Sequence, residues 1–265
     1  MPNRLRAAAA RQVGGITTWF KIEEQGMTRF EVLSQASVLA IDTRASTPLF
    51  LTSAHVVQPY LWRNYYPQEW MNFVEQKHTK VTLEIRSPKS ASADFHAQFE
   101  LDCNRIRAHP FRDCAALALT ASDEKRYLSG DKKSRLSPVS LSPHSLTPAV
   151  RVAAAGHTIV AGEADGDDDA SIVGHRAQRF DVFSGCSFVS SSKHQAFLRT
   201  PEVLGEGMCG GGLFGEGGDS ATCHGIIEGI VPLNSPATHL SGCCAYVQSS
   251  ELLVWLNLGA PALGK

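Results

Sequence analysis

Residues 205–214 read GEGMCGGGLF, five glycines in ten positions around one cysteine, Cys209, leading into an apolar stretch. Glycine lacks the Cβ that forbids most left-handed backbone, so such a run permits a tight turn. A turn of that kind can aim several backbone N–H groups at one point, where they would hold negative charge. Two stretches further back complete the pattern. Residues 108–119, AHPFRDCAALAL, place Asp113 just before an apolar strand; residues 51–57, LTSAHVV, run an apolar strand into Thr-Ser-Ala-His. His55, Asp113 and Cys209 therefore follow one another at separations of 58 and 96 residues. An imidazole beside a thiol favours the thiolate, which is the stronger nucleophile, and a carboxylate behind the imidazole orients it. Each residue has a plainer role open to it: His55 as a satisfied buried histidine, Asp113 as a turn cap, Cys209 as an inert thiol in a turn kept for backbone reasons. Asp102, eleven residues before Asp113, is the rival carboxylate.

Around these stretches the chain reads as short strands separated by turn residues. Candidates lie at 30–42, 49–52, 81–86, 95–101, 115–120, 152–155, 179–183, 196–200, 212–214, 225–231 and 244–248. Residues 81–86, VTLEIR, alternate apolar and polar, as a half-buried strand should. The pattern predicts an all-β sandwich or barrel. Two segments read as helix. Residues 67–77, PQEWMNFVEQK, open on proline and place Trp70, Phe73 and Val74 on one side. Residues 250–258, SELLVWLNL, carry a serine cap, an early glutamate and a dense apolar face for the β core. Residues 125–143, rich in Ser, Lys and Asp, are expected to link two halves. The five acids of 163–169, EADGDDD, lack the ligand spacing and terminal glutamate of a calcium loop and read as a solvated loop.

The 265 residues, 43% apolar and 19% charged, suffice for a large buried core. A net charge of −1 gives no reason to expect a nucleic-acid partner or an anionic membrane surface, and no apolar run reaches the length that spans a bilayer. Seven cysteines form an odd set without C-x-x-C spacing. Cys209 apart, they read as small reduced hydrophobes of an intracellular, reducing compartment. Residues 1–22 hold no acid but include Arg4, Arg6, Arg11 and Lys21, and 1–12 could form a basic helix. That composition fits either a mitochondrial transit segment or an ordinary basic terminus of a cytoplasmic protein. No metal and no organic cofactor is implied.

The three stretches together carry a family resemblance. TSAHVV resembles the T-A-A-H signature around the catalytic histidine of trypsin/chymotrypsin-like peptidases, the HtrA-like branch in particular. HPFRDCAALAL is similar to the region around their catalytic aspartate, and GMCGGGLF to their G-D/N-S-G-G-P-L nucleophile loop. HGIIEGIV, residues 224–231, resembles the strand lining their substrate cleft. The order His, Asp, nucleophile is also theirs. The resemblance covers roughly residues 35–256 and implies two packed six-stranded antiparallel β-barrels with a carboxy-terminal helix and a cleft between them. It further implies that His55 is the base and acid, Asp113 its orienting partner and Cys209 the nucleophile. The backbone N–H groups of Gly207 and Cys209 would form the oxyanion hole. Val203 would lie near the floor of the specificity pocket, and Glu228 and Gly229 along the cleft wall. An apolar floor disfavours Arg or Lys there.

This chain departs from that pattern in places. Cysteine replaces serine, as in picornavirus-type cysteine peptidases, and Gly212 stands where proline is usual. Val13-Gly14-Gly15 is similar to the amino-terminus freed in trypsin zymogens. That device needs an aspartate before the nucleophile, whereas this chain has Met208, so activation by cleavage is not expected. The expected organisation is a basic segment 1–28, a first barrel 29–125 with His55 and Asp113, a linker 126–148, a second barrel 149–248 with Cys209, and a helix and tail 249–265. Two functions remain open: an endopeptidase acting on a protein or peptide through a Cys209 thioester, or an inactive structural subunit of a larger complex. For the second, the aromatics of 61–80 (Trp62, Tyr65, Tyr66, Trp70, Phe73) would meet a protein partner or occlude the cleft. His157 and His224 read as structural or exposed.

Overall fold

The computed structural model describes residues 2–43, 45–66, 68–86, 95–160, 176–192, 195–215 and 222–258; the acidic run at 163–169 lies outside them. Helix α1 (Pro2–Ala9) leads into β1 (Val13–Phe20), which is followed by β2 (Glu31–Ile41), β3 (Leu49–Thr52), β4 (Thr79–Ile85), β5 (Ala97–Leu101), β6 (Arg107–Ala108) and β7 (Ala115–Leu117). These strands form one antiparallel sheet in the order β5-β4-β1-β2-β3-β7-β6.

Residues 1–28 are therefore not a separate segment. Strand β1 lies between β2 and β4 and is buried along nearly its whole length. Val13-Gly14-Gly15 is paired inside this sheet. Helix α1 is seated as well: Ala9 is buried, and the Arg6 guanidinium donates to Phe180 O in the second half.

The first half differs from the expected six-stranded barrel. Its seven-stranded sheet curls until one edge meets the segment after β7. There Asp102 N–H donates to Ala118 O at 2.9 Å and Thr120 N–H to Glu100 O at 3.1 Å, around a single Leu101–Leu119 bridge. The second half is a closed six-stranded barrel, as expected. It comprises β8 (Val152–Ile159), β9 (Gln178–Ser191), β10 (Ala196–Arg199), β11 (Gly212–Gly215), β12 (Cys223–Ile230) and β13 (Cys244–Gln248), closing in the order β10-β13-β12-β11-β8-β9.

Burial divides accordingly. Ile16, Phe50, Leu83, Leu101 and Leu117 fill the first half, and Leu198, Met208, Leu213, Ile227 and Tyr246 fill the second. A third cluster joins Leu39, Ile41 and Leu51 of the first half to Phe180, Phe214, Ile226 and Val247 of the second. At about 1.5–3 kcal/mol for each large side chain removed from water, that seam is a true core and not a contact between independent bodies.

Of the two expected helices, one is replaced by shorter turns and one forms. Residues 67–77 do not form one helix: separate 3₁₀ turns run Glu69–Phe73 and Gln76–His78. Trp70 stacks on Phe20 at 4.6 Å and Val74 is buried, but Phe73, assigned to the same face, is 59% exposed. The carboxy-terminal helix forms as α4 (Ser249–Leu256). Leu252 and Leu256 are buried at the seam, and Asn257 ends the helix in the left-handed conformation at φ 55°. The expected linker overlaps a helix, α3 (Ala121–Ser129), capped by the Thr120 hydroxyl. Beyond it Val139 bridges Ile41 and Leu141 bridges Cys223, so the connection is stitched to both halves. Among the described residues, no helix is long and apolar enough to cross a membrane.

Candidate active site

His55 lies on the single turn of α2 (Ala54–Val57), where Ala54, Val56 and Val57 are buried. The polar residues before it are placed by bonds to distant backbone. Thr52 Oγ1 donates to Ser37 O at 2.8 Å, and Ser53 Oγ donates across the seam to Ile227 O at 3.2 Å. Thr18 Oγ1 donates to Val56 O at 2.6 Å from below the turn. Both hydroxyl residues of TSAH are thus needed where they stand, because buried hydroxyls must find partners.

Asp113 meets this turn with both carboxylate oxygens. Oδ1 accepts from His55 N–H at 2.8 Å, and Oδ2 contacts His55 Nδ1 at 2.5 Å. That pairing leaves Nε2 free of Asp113, and Cys209 is near enough for its charge to act on the ring. The rival Asp102 is used locally, accepting Asn104 N–H at 3.0 Å to cap a 3₁₀ turn. Burial opposes protonation of His55, but the hydrogen bond and charge of Asp113, together with nearby Cys209, outweigh it and raise the ring from 6.5 to about 9.

The Cys209 loop is held from both sides. Gly210 N–H donates to Ile227 O at 2.8 Å in the second barrel, while Ser37 N–H donates to Cys209 O at 2.9 Å from the first half. Gly207 and Gly210 have φ of 93° and 83°, and a Cβ on Gly210 would lie 2.1 Å from Ser37 O. Only glycine fits there. The N–H groups of Gly207 and Cys209 donate to no acceptor among the described residues, so both are free to receive an oxyanion.

Ser37 was missed by sequence reasoning and is central. Its hydroxyl donates to Gly207 O at 2.8 Å and accepts His157 N–H at 2.7 Å. Together with its backbone bonds, this one buried residue fixes the loop that would line an oxyanion hole. A serine on a buried strand face was the available signal, but its partners lie at positions far along the chain.

Glu228 is not a free cleft-wall residue. Its side chain is largely buried and accepts from Arg112 Nε at 3.0 Å, Arg112 Nη2 at 2.8 Å and Asp113 N–H at 2.9 Å. Gly229 beside it has open space where a side chain would project. Val203, expected near a pocket floor, is half exposed. It lines a hollow of about 470 Å³ with Thr158, Phe183 and Pro201, which His55, Asp113 and Cys209 do not reach. The insertion after α2 covers the imidazole instead: Tyr65 stacks on His55 with centroids 4.5 Å apart and planes 9° apart, and Tyr66 Oη donates to His55 O at 2.9 Å.

Of the other expected residues, His157 is buried against Phe180, whereas His224 is partly buried. All seven cysteines are free thiols; five are buried, and Cys103, like Cys209, is partly exposed. Among the described residues, no group of three or more His, Cys, Asp or Glu side chains is placed to hold a metal ion. No protein-family model matches this chain, and no curated protein matches it. The trypsin-like resemblance therefore rests on the sequence stretches that carry it.

Proposed function

We propose that the chain is a trypsin-like cysteine endopeptidase. The observation that carries this reading is one imidazole bonded through Nδ1 to Asp113 and near enough to Cys209 to be shifted by its charge, beside two unengaged backbone N–H groups. In the proposed reaction the Cys209 thiolate attacks the scissile carbonyl carbon, and the N–H groups of Gly207 and Cys209 take the oxyanion. The C–N bond then breaks as His55 gives its proton to the leaving amine. Water, deprotonated by His55, cleaves the thioester and restores the thiol. A ring that keeps its proton up to about pH 9 has that proton ready for the amine throughout the neutral range.

A second reading, an inactive subunit of an assembly, draws on Tyr65, whose ring lies flat on the imidazole where substrate would pass. One experiment separates the two. Iodoacetamide alkylation of Cys209 is followed by mass spectrometry across pH, in the wild type and in His55→Ala. Fast labelling at or below neutral pH, slowed at least tenfold in the variant, is expected. Slow labelling that ignores His55 would end the peptidase reading and favour the assembly subunit.

A further inference from the structure

We propose that Glu228 is a positioning residue: a carboxylate of the second barrel that fixes the Asp113–His55 pair of the first against the Cys209 loop. The inference deepens the peptidase reading and rests on it. Its basis is a convergence at two neighbouring residues of β12. Ile227 holds the nucleophile loop in both directions, accepting Gly210 N–H and donating to Gly211 O, each at 2.8 Å. Its carbonyl also receives Ser53 Oγ at 3.2 Å, two residues before His55. Glu228, the next residue, holds the loop that carries Asp113.

The local backbone explains why Glu228 can do this. Register along β12 and β13 passes from Ile227–Tyr246 to Gly229–Ala245, leaving Glu228 as the extra residue of a bulge. A bulge re-aims a side chain that would otherwise follow strand alternation. Oε1 of Glu228 takes both Arg112 Nε and Asp113 N–H, and Oε2 takes Arg112 Nη2. Arg112 is anchored further by Tyr246 O at 2.9 Å and Glu251 Oε2 at 3.3 Å. The backbone at 112–113 thus hangs from the second barrel by a charged fork. Asp113 then presents Oδ1 and Oδ2 to His55 N–H and Nδ1.

The chemistry requires the charge. The Arg112 side chain is 5% exposed, and a buried guanidinium left with only the longer contact to the partly exposed Glu251 pulls its loop toward other acceptors or water. Glutamine has one acceptor oxygen, and its NH₂ would oppose the guanidinium. With glutamine at 228, Asp113 would lose a backbone anchor while its own side chain stayed unchanged.

The test is Glu228→Gln, with the His55 ring titrated by NMR, the pH profile of Cys209 alkylation recorded and the melting temperature measured. The titratable groups facing His55 are Asp113, Cys209, Tyr65 and Tyr66; those facing Glu228 are Arg112, Asp113, Cys114, Tyr65 and Glu251, with His109 behind Glu251 at 3.6 Å. The expected result is a His55 midpoint lowered by about one unit or more as its pairing with Asp113 loosens, and a matching displacement of the alkylation profile. The double variant Arg112→Gln with Glu228→Gln leaves no lone buried charge and keeps the test possible if the single variant fails to fold; it is expected to lower the midpoint likewise. A lower melting temperature with an unmoved midpoint and profile would make Glu228 purely structural and overturn the inference. A wild-type ring titrating near 6.5 would overturn the Asp113–His55–Cys209 pairing and the peptidase reading with it. A wild-type midpoint near 9 that neither variant moves would overturn this inference alone.

Discussion

Two histidines lie where the halves of the molecule meet, His157 fully buried and His55 partly so, and their pKa values are shifted in opposite directions. His55 lies between Asp113 and Cys209 and is raised to about 9 despite its burial. His157, on β8, packs edge-on against Phe180 with centroids 5.6 Å apart; burial first, then the Arg86 charge, lowers it to about 4. Desolvation is the largest influence on both rings, and in both it works against the charged form. The sign of the outcome is decided by the partner: His55 has a carboxylate against Nδ1, whereas His157 has a bond to Val13 backbone and a cation nearby. Burial alone therefore does not mark a working histidine.

The sharpest way to break this contrast is to give His55 the environment of His157. Asp113→Asn keeps the shape and removes the charge. The His55 midpoint should drop below 6.5, and turnover of any peptide substrate should fall on the order of 10⁴-fold, the scale for losing the orienting carboxylate of a triad. NMR titration and kcat measure the two effects. A midpoint still near 9 would show that Asp113 is not what holds the proton.

The contrast also predicts opposite pH limbs in stability. The folded pKa of His157 lies below its unfolded value, so its contribution is present above pH 6.5 and is lost as pH falls toward about 4. That of His55 is raised, so its contribution is present below pH 6.5 and lost as pH rises through about 9. Urea unfolding from pH 4 to 9.5 should show both limbs. His157→Gln should flatten the acid limb by up to about 3 kcal/mol and leave the alkaline one. An unchanged acid limb would remove His157 from the account.

A smaller effect is expected at Ser37, which touches both regions. Ser37→Ala leaves Gly207 O and His157 N–H unpaired and should cost about 1–3 kcal/mol in urea unfolding, with slower Cys209 labelling. A variant as stable as the wild type would mean that the loop is held by its glycines and not by this hydroxyl.

Much of the molecule was legible because its signals are local. Strands β3 and β13 match their expected bounds, 49–52 and 244–248, since apolar runs end there on turn residues. His55, Asp113 and Cys209 come together because each sits in a short stretch whose neighbours bear a pattern. Strand β1 was missed: buried on both faces, VGGITTWF shows no alternation, and it fell within the basic segment 1–28 that was set apart from the first barrel. Residues 67–77 misled for the opposite reason, since a helical spacing of aromatics is equally served by 3₁₀ turns that seat Trp70 on Phe20. The partners of Ser37 and of the inward Glu228 could not be read from the sequence. Their roles depend on register and on a bulge that align residues 170 and 115 positions apart.

The separation between Ser37 and Gly207 has a consequence for how the protein is made. Contacts so distant in sequence are formed late, because closing a long loop costs entropy before the contact repays it. During synthesis the strands bearing His55 and Asp113 emerge first and can fold while the second barrel is still unmade. The nucleophile loop reaches its final shape only when Ser37 and Ile227 grip it together, at the docking of the halves. A chain caught midway would thus carry His55, Asp113 and Cys209 without the loop geometry on which the proposed activity depends, so that activity would arise only at the last step of folding.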